Sequence, residues 1–172
     1  MNPAFTTLTK EELIALIEIY SKNWLAMDGL WFQSIERENG IDNAMHHDEA
    51  VWSSFTVIEA KRIKKFLNLP EHAGIEGLKQ ALQLRLYANL NKNEIIVEGN
   101  SLIYKVRDCR VQSARTRKQM PLHPCKPVGI VEYSEFAKVI DSRFTCECVS
   151  CFPDITDNTC CCVWKFTLRE SK

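Results

Sequence analysis

Several things are missing from this sequence, and each absence narrows what it can be. It has no excess charge, since 22 lysines and arginines balance 22 aspartates and glutamates. Nucleic-acid binders usually carry a basic excess, and polybasic membrane anchors need one. No apolar run approaches the roughly 20 residues of a membrane span. The opening Met-Asn-Pro-Ala-Phe-Thr-Thr-Leu-Thr-Lys-Glu-Glu lacks the basic start and apolar core of a secretory signal. These absences predict a cytoplasmic protein with no membrane or nucleic-acid partner, whose thiols stay reduced unless they hold metal. There is no internal repeat, glycine-rich phosphate loop, G-x-S-x-G elbow or H-E-x-x-H.

The most uneven absence is that of cysteine. Residues 1–108 contain none, yet eight lie between Cys109 and Cys162, six of them from Cys146 onward. Cys148-Val-Ser-Cys151 is a C-x-x-C, Cys160-Cys161-Cys162 follows it, and Cys125 stands upstream between two prolines. Disulfide scaffolds spread their cysteines through secreted chains, so this crowding points instead to soft-metal ligation. Cys148 and Cys151 can reach one ion from a tight turn, and Cys125 can be fixed by its stiff loop. Cys162 or Cys160, which share a strand face, can complete a tetrahedral set. Cys146, Glu147 and His123 are spare candidates. Zinc is the expected ion, with an Fe–S cluster as the alternative. Cys109 and Cys161 read better as buried small hydrophobes.

Length and composition predict one domain over 1–172, with a helical half (1–91) and a cysteine-rich α+β half (92–172). Thr9-Lys-Glu-Glu12 is a capping box. Leu13, Ile17, Tyr20, Trp24, Met27, Trp31 and Ile35 then mark one face of a long helix that ends at Asn39-Gly40. A second helix, capped by Asp42 and stopped by Leu69-Pro70, carries an apolar face of Val51, Phe55, Ile58, Ile63 and Phe66. Ile75, Leu78, Leu82, Leu86 and Leu90 mark a third. Residues 94–98 and 102–106 read as a hairpin whose second strand continues through Cys109 and Val111. A proline-rich loop surrounds Cys125, a helix covers 134–140, and a last hairpin covers 143–152 and 160–168. The expected fold is α+β: N-terminal helices on a small C-terminal antiparallel sheet, with a helix before the last hairpin.

Other residues point to a ligand. Arg107, Arg110, Arg115, Arg117 and Lys118 form a basic run, within which Arg110 and Arg115 are the candidates to grip an anion. Trp24, Trp31, Phe32 and Trp52 are placed to line a cavity between helices and sheet, with Trp31 the chosen contact. Asp28 falls in the apolar seam of the first helix and is the candidate inward carboxylate. The expected ligand is small and anionic or aromatic. His46-His47-Asp48-Glu49 reads as a solvated helix start. His123 stands two residues from Cys125, but residues so close in a proline-rich loop seldom present base and nucleophile to each other.

The order of elements, with Glu147-Cys148-x-x-Cys151 and a cysteine on the return strand, resembles the 4-vinyl reductase domain family, which shares its fold with transport-particle subunits. That resemblance implies zinc held by Cys125, Cys148 (in place of a carboxylate), Cys151 and Cys162 or Cys160, and it admits a homodimer formed through the helical face. The runs Asn23-Trp24-Leu-Ala-Met-Asp28-Gly29-Leu-Trp31-Phe32, Pro124-Cys125-Lys126 and Cys162-Val-Trp164 are similar to a set of bacterial cytosolic proteins. A weaker similarity is to hydrolases of cyclic thiazoline carboxylates. The expectation is therefore a zinc-binding domain with a small-molecule pocket. The alternatives are a hydrolase of a small carboxylate-bearing ring and an Fe–S redox protein.

Overall fold

A computed structural model of the chain describes residues 2–169. Five helices run from α1 (Lys10–Asn39) and α2 (Ile41–Phe66) through α3 (Gly74–Gln83) and α4 (Arg110–Arg117) to α5 (Lys126–Ile140). Four strands, β1 (Lys92–Glu98), β2 (Ser101–Asp108), β3 (Phe144–Cys151) and β4 (Cys162–Leu168), form one antiparallel sheet in the order β1-β2-β4-β3. This is the expected α+β arrangement. Among the described residues no helix is long and apolar enough to cross a membrane.

The Thr9–Glu12 capping box forms in both directions, and Gly40 ends α1 at φ +84°, a conformation glycine adopts without strain. The expected inward seam of α1 faces out instead. Ile17, Tyr20, Met27 (59% exposed) and Trp31 (67% exposed) lie on its outer side, while Trp24 stacks on Phe55 of α2 at 4.9 Å between ring centroids. Leu25, Asp28 and Phe32 turn toward the protein, because α1 packs chiefly on α2 by a narrow strip. The face of α2 is also rotated from expectation. Val51, Ile58 and Phe66 (76% exposed) are outside, while Trp52, Thr56, Glu59 and Ala60 are buried. Thr56 Oγ1 donates to the Glu132 carbonyl at 2.9 Å and Glu59 binds Arg85, so the inward polar groups are satisfied. The third helix stops at Gln83, with a short 3-10 turn over Leu86–Asn89. The chain after β2 is not strand but α4. The proline-rich segment enters a helix eight residues earlier than expected, because Pro127 falls in the first turn of α5, where a missing amide hydrogen costs nothing.

The core lies between α2, α3, α5 and one face of the sheet. Cross-strand rows on that face are Leu102–Phe166–Cys146, Tyr104–Trp164–Cys148 and Val106–Cys162–Cys151. Residues three apart on a strand should point to opposite faces. A bulge between Cys148 and Ser150 absorbs one residue and returns Cys151 to the face of Cys148. Trp164 is 1% exposed, and a Cβ at Gly129 would lie 2.5 Å from its ring, so only glycine lets α5 approach this closely.

Candidate functional site

Between α1, α2, α4, α5 and the sheet end carrying Cys151 and Cys162 lies a cavity of about 460 Å³. Its walls are largely apolar and aromatic: Leu25, Phe32, Trp52, Val106, Val128, Tyr133 and Trp164. Asp28, Asp48, Glu132, Arg110, His123, Cys109, Cys125, Cys151 and Cys162 also line it. A concave space of this volume with a largely apolar wall and convergent polar groups is the usual form of a small-molecule site.

The loop 121–125 is built to present two of those groups. Gln112 on α4 clamps it, accepting from the His123 amide at 3.0 Å and donating to the His123 carbonyl at 2.8 Å. The Cys125 amide donates to the same carbonyl at 2.8 Å, closing a three-residue γ-type turn around Pro124. This turn brings residues i and i+2 together, so the Cys125 thiol lies 3.2 Å from His123 Nδ1. The Gln112 amide also reaches the Cys125 sulfur at 3.2 Å. On its far side, His123 Nε2 is 3.3 Å from Asp48 Oδ2, and the ring packs on Phe32 at 4.6 Å between centroids. Cys125 is the N-cap of α5, at the positive end of a fifteen-residue helix. Burial pushes its thiol well above the ordinary value, with the neighbouring Cys109 and Cys162 adding to the rise.

A second polar cluster borders the cavity. Arg85, 2% exposed, donates from Nε to Glu59 at 2.9 Å and from Nη2 to Glu132 at 2.6 Å. Its guanidinium also lies 4.7 Å from the Phe136 ring centroid. One cation between two carboxylates leaves an excess negative charge, and burial holds Glu132 above its ordinary value more strongly than Arg85 lowers it. Asp28 shares the cavity wall. Burial, and then repulsion from Asp48, raises it from 3.8 to about 6, against a 3.4 Å hydrogen bond from the Tyr87 hydroxyl.

Of the expected site residues, Cys125, Cys151, Cys162, Asp28, Arg110 and Arg115 all border this cavity. Cys148 sits one cross-strand row away, opposite Trp164. Cys160 is turned away, its thiol toward the Asp157 carbonyl. Among the described residues no group of three or more His, Cys, Asp or Glu side chains stands in an arrangement able to hold a metal ion. Trp31 is outside the cavity and its neighbour Phe32 lines it. Arg115 is committed to Glu36 through two hydrogen bonds of 2.9 and 2.7 Å. Arg110 is half-buried, and among the described residues its guanidinium has no hydrogen-bonding or ion-pair partner.

Sequence reasoning missed Asp48, Tyr87, Glu59, Arg85 and Glu132. Two left a trace: Arg85 continues the inward spacing of Leu78 and Leu82, and Glu132 falls between the buried Val128 and Phe136 of α5. Asp48 left none, because a carboxylate in an early helical turn reads equally well as solvated. A model for a family described as "Family of unknown function (DUF6125)" matches residues 6–168. No curated protein matches the chain.

Proposed function

The chain belongs to this family of unknown function, and we propose that it is a binding domain for a small, anionic, largely apolar molecule held between helices and sheet. Arg110, whose guanidinium has no partner among the described residues, stands on a largely apolar cavity wall and carries the reading. A half-buried cation without a carboxylate gains most from a ligand that supplies one, through a charge-assisted fork. The aromatic wall suits a ring-sized body. Benzoate and its neutral analogue benzamide test this by calorimetry. Benzoate should bind more tightly than benzamide. Arg110→Ala should remove about 1.5–3 kcal/mol of the benzoate affinity, roughly a tenfold to hundredfold loss, and leave benzamide unchanged. Equal binding of the two probes, or an Arg110→Ala protein that binds benzoate normally, contradicts the reading.

A second reading rests on the sulfurs. The β3 bulge sets Cys148 and Cys151 on the face that also carries Cys162. A soft ion such as zinc would have to draw these three thiolates together from the positions described above, and would then tie the last hairpin together. Metal analysis of Cys151→Ser beside the parent protein tests it: equal metal content in the two removes it. The outer seam of α1 we assign to a second copy of the chain, because Ile17, Tyr20, Met27 and Trp31 fall on one exposed stripe at the spacing with which helices pair.

A further inference from the structure

The cavity holds an arrangement that ligand binding alone does not require. A thiol, an imidazole and a carboxylate form one chain: Cys125 Sγ to His123 Nδ1 at 3.2 Å, and His123 Nε2 to Asp48 Oδ2 at 3.3 Å. All three side chains border the cavity. We infer that Cys125 is a nucleophile, His123 its general base and Asp48 the residue that positions the base, so that the domain hydrolyses a small activated acyl compound by covalent thiol catalysis. The inference rests on the cavity being a small-molecule site.

The geometry supplies each role. Asp48 Oδ2, 3.3 Å from Nε2, favours the tautomer that carries its proton on that nitrogen, which leaves Nδ1 as an acceptor facing the sulfur. Gln112 holds the loop from both sides of the His123 peptide, which fixes the ring and the thiol in register. The positive end of α5 stabilises negative charge developing at the sulfur. Burial disfavours the Cys125 thiolate, so the resting sulfur keeps its proton. The proton therefore moves as the bond forms. The Cys125 S–H proton passes to His123 Nδ1, the sulfur lone pair forms a C–S bond at the acyl carbon, and the carbonyl π electrons move to oxygen. As these return, the bond to the leaving group breaks and that group takes the proton from His123. Water then adds to the thioester carbon and gives a proton to His123. The C–S bond breaks and the sulfur recovers that proton. The net change is acyl–X plus water to carboxylic acid plus H–X, with no oxidant or reductant.

The test uses p-nitrophenyl acetate as the acyl donor, with acid quenching and peptide mass spectrometry over all eight cysteines. The expected result is acetylation concentrated at Cys125. His123→Ala should slow it about 100-fold, within the usual range for a general base. Asp48→Ala should also slow it and Asp48→Glu should restore part of the rate, whereas a merely structural carboxylate would register in the melting temperature instead. Acetyl groups spread evenly over the thiols, an unchanged rate in a folded His123→Ala protein, or stoichiometric zinc lost on Cys125→Ser would each overturn the inference. Benzoate affinity is measured on the same preparations. Benzoate binding without Cys125 acetylation leaves the cavity reading standing and removes the catalytic one, and loss of benzoate binding in the parent protein removes the cavity reading itself.

Discussion

Asp28 gives the sharpest quantitative prediction. Its carboxyl faces the cavity from α1 and is raised from 3.8 to about 6 by burial and by Asp48. Below pH 4 the carboxyl is protonated in both the folded and unfolded chains and contributes no difference. Between pH 4 and 6 the unfolded chain releases the proton while the folded chain retains it, so folding stability falls as pH rises. Above pH 6 the full cost is present, about 3 kcal/mol at most when the difference is converted by linkage. Access of water to the carboxylate through the cavity lowers that figure, and about 1–3 kcal/mol is the expected range. Replacing the carboxylate by an amide removes the charge and keeps an oxygen for the Tyr87 hydroxyl. Asp28→Asn should therefore match the parent near pH 4 and exceed it by about 1–3 kcal/mol at pH 7. Urea unfolding of both proteins at several pH values reads the difference directly, and changes common to both proteins cancel. A variant less stable than the parent at pH 7, or a difference that does not vary with pH, would refute the reasoning.

Other outcomes follow from the same contacts. Arg85→Met should cost about 3–5 kcal/mol in urea unfolding, because Glu59 and Glu132 would be left facing each other without their cation. Gly129→Ala should lower stability by about 1–3 kcal/mol in the same assay, since the added methyl meets the buried Trp164 ring. Met27→Glu with Trp31→Glu should leave the melting curve nearly unchanged and convert a dimer to a monomer in sedimentation equilibrium. A parent protein that is monomeric at high concentration would remove the assignment of the α1 seam.

The sheet was readable because strand alternation is local: the β1–β2 turn at Gly99-Asn100 and the last hairpin fall within a residue or two of expectation. The helices were readable as helices but not for their facing. The seam of α1 repeats as an inward face should, yet it points outward, since periodicity identifies a stripe without saying what covers it. Helix α4 was hidden by Cys109 and Val111, which read as a strand continuing, and the start of α5 by prolines that read as loop. Cys151 and Cys162 gather at the end of the sheet that borders the cavity. The bulge that joins Cys151 to the face of Cys148 follows from pairing with β4, which no local pattern records. The Cys125–His123 contact was discounted on separation alone. The γ-type turn at Pro124 and the clamp from Gln112, thirteen residues upstream of Cys125, reverse that judgement.

The cavity is the centre of this account, and locating a bound probe tests it most directly. Benzoate titrated into isotope-labelled protein and followed by amide chemical shifts should move Arg110 on α4 and Cys125, Val128 and Gly129 at the start of α5, with saturation at a common dissociation constant. Shifts confined to the outer face of α1, or none at millimolar benzoate, would contradict the claim that this space between helices and sheet is a binding site.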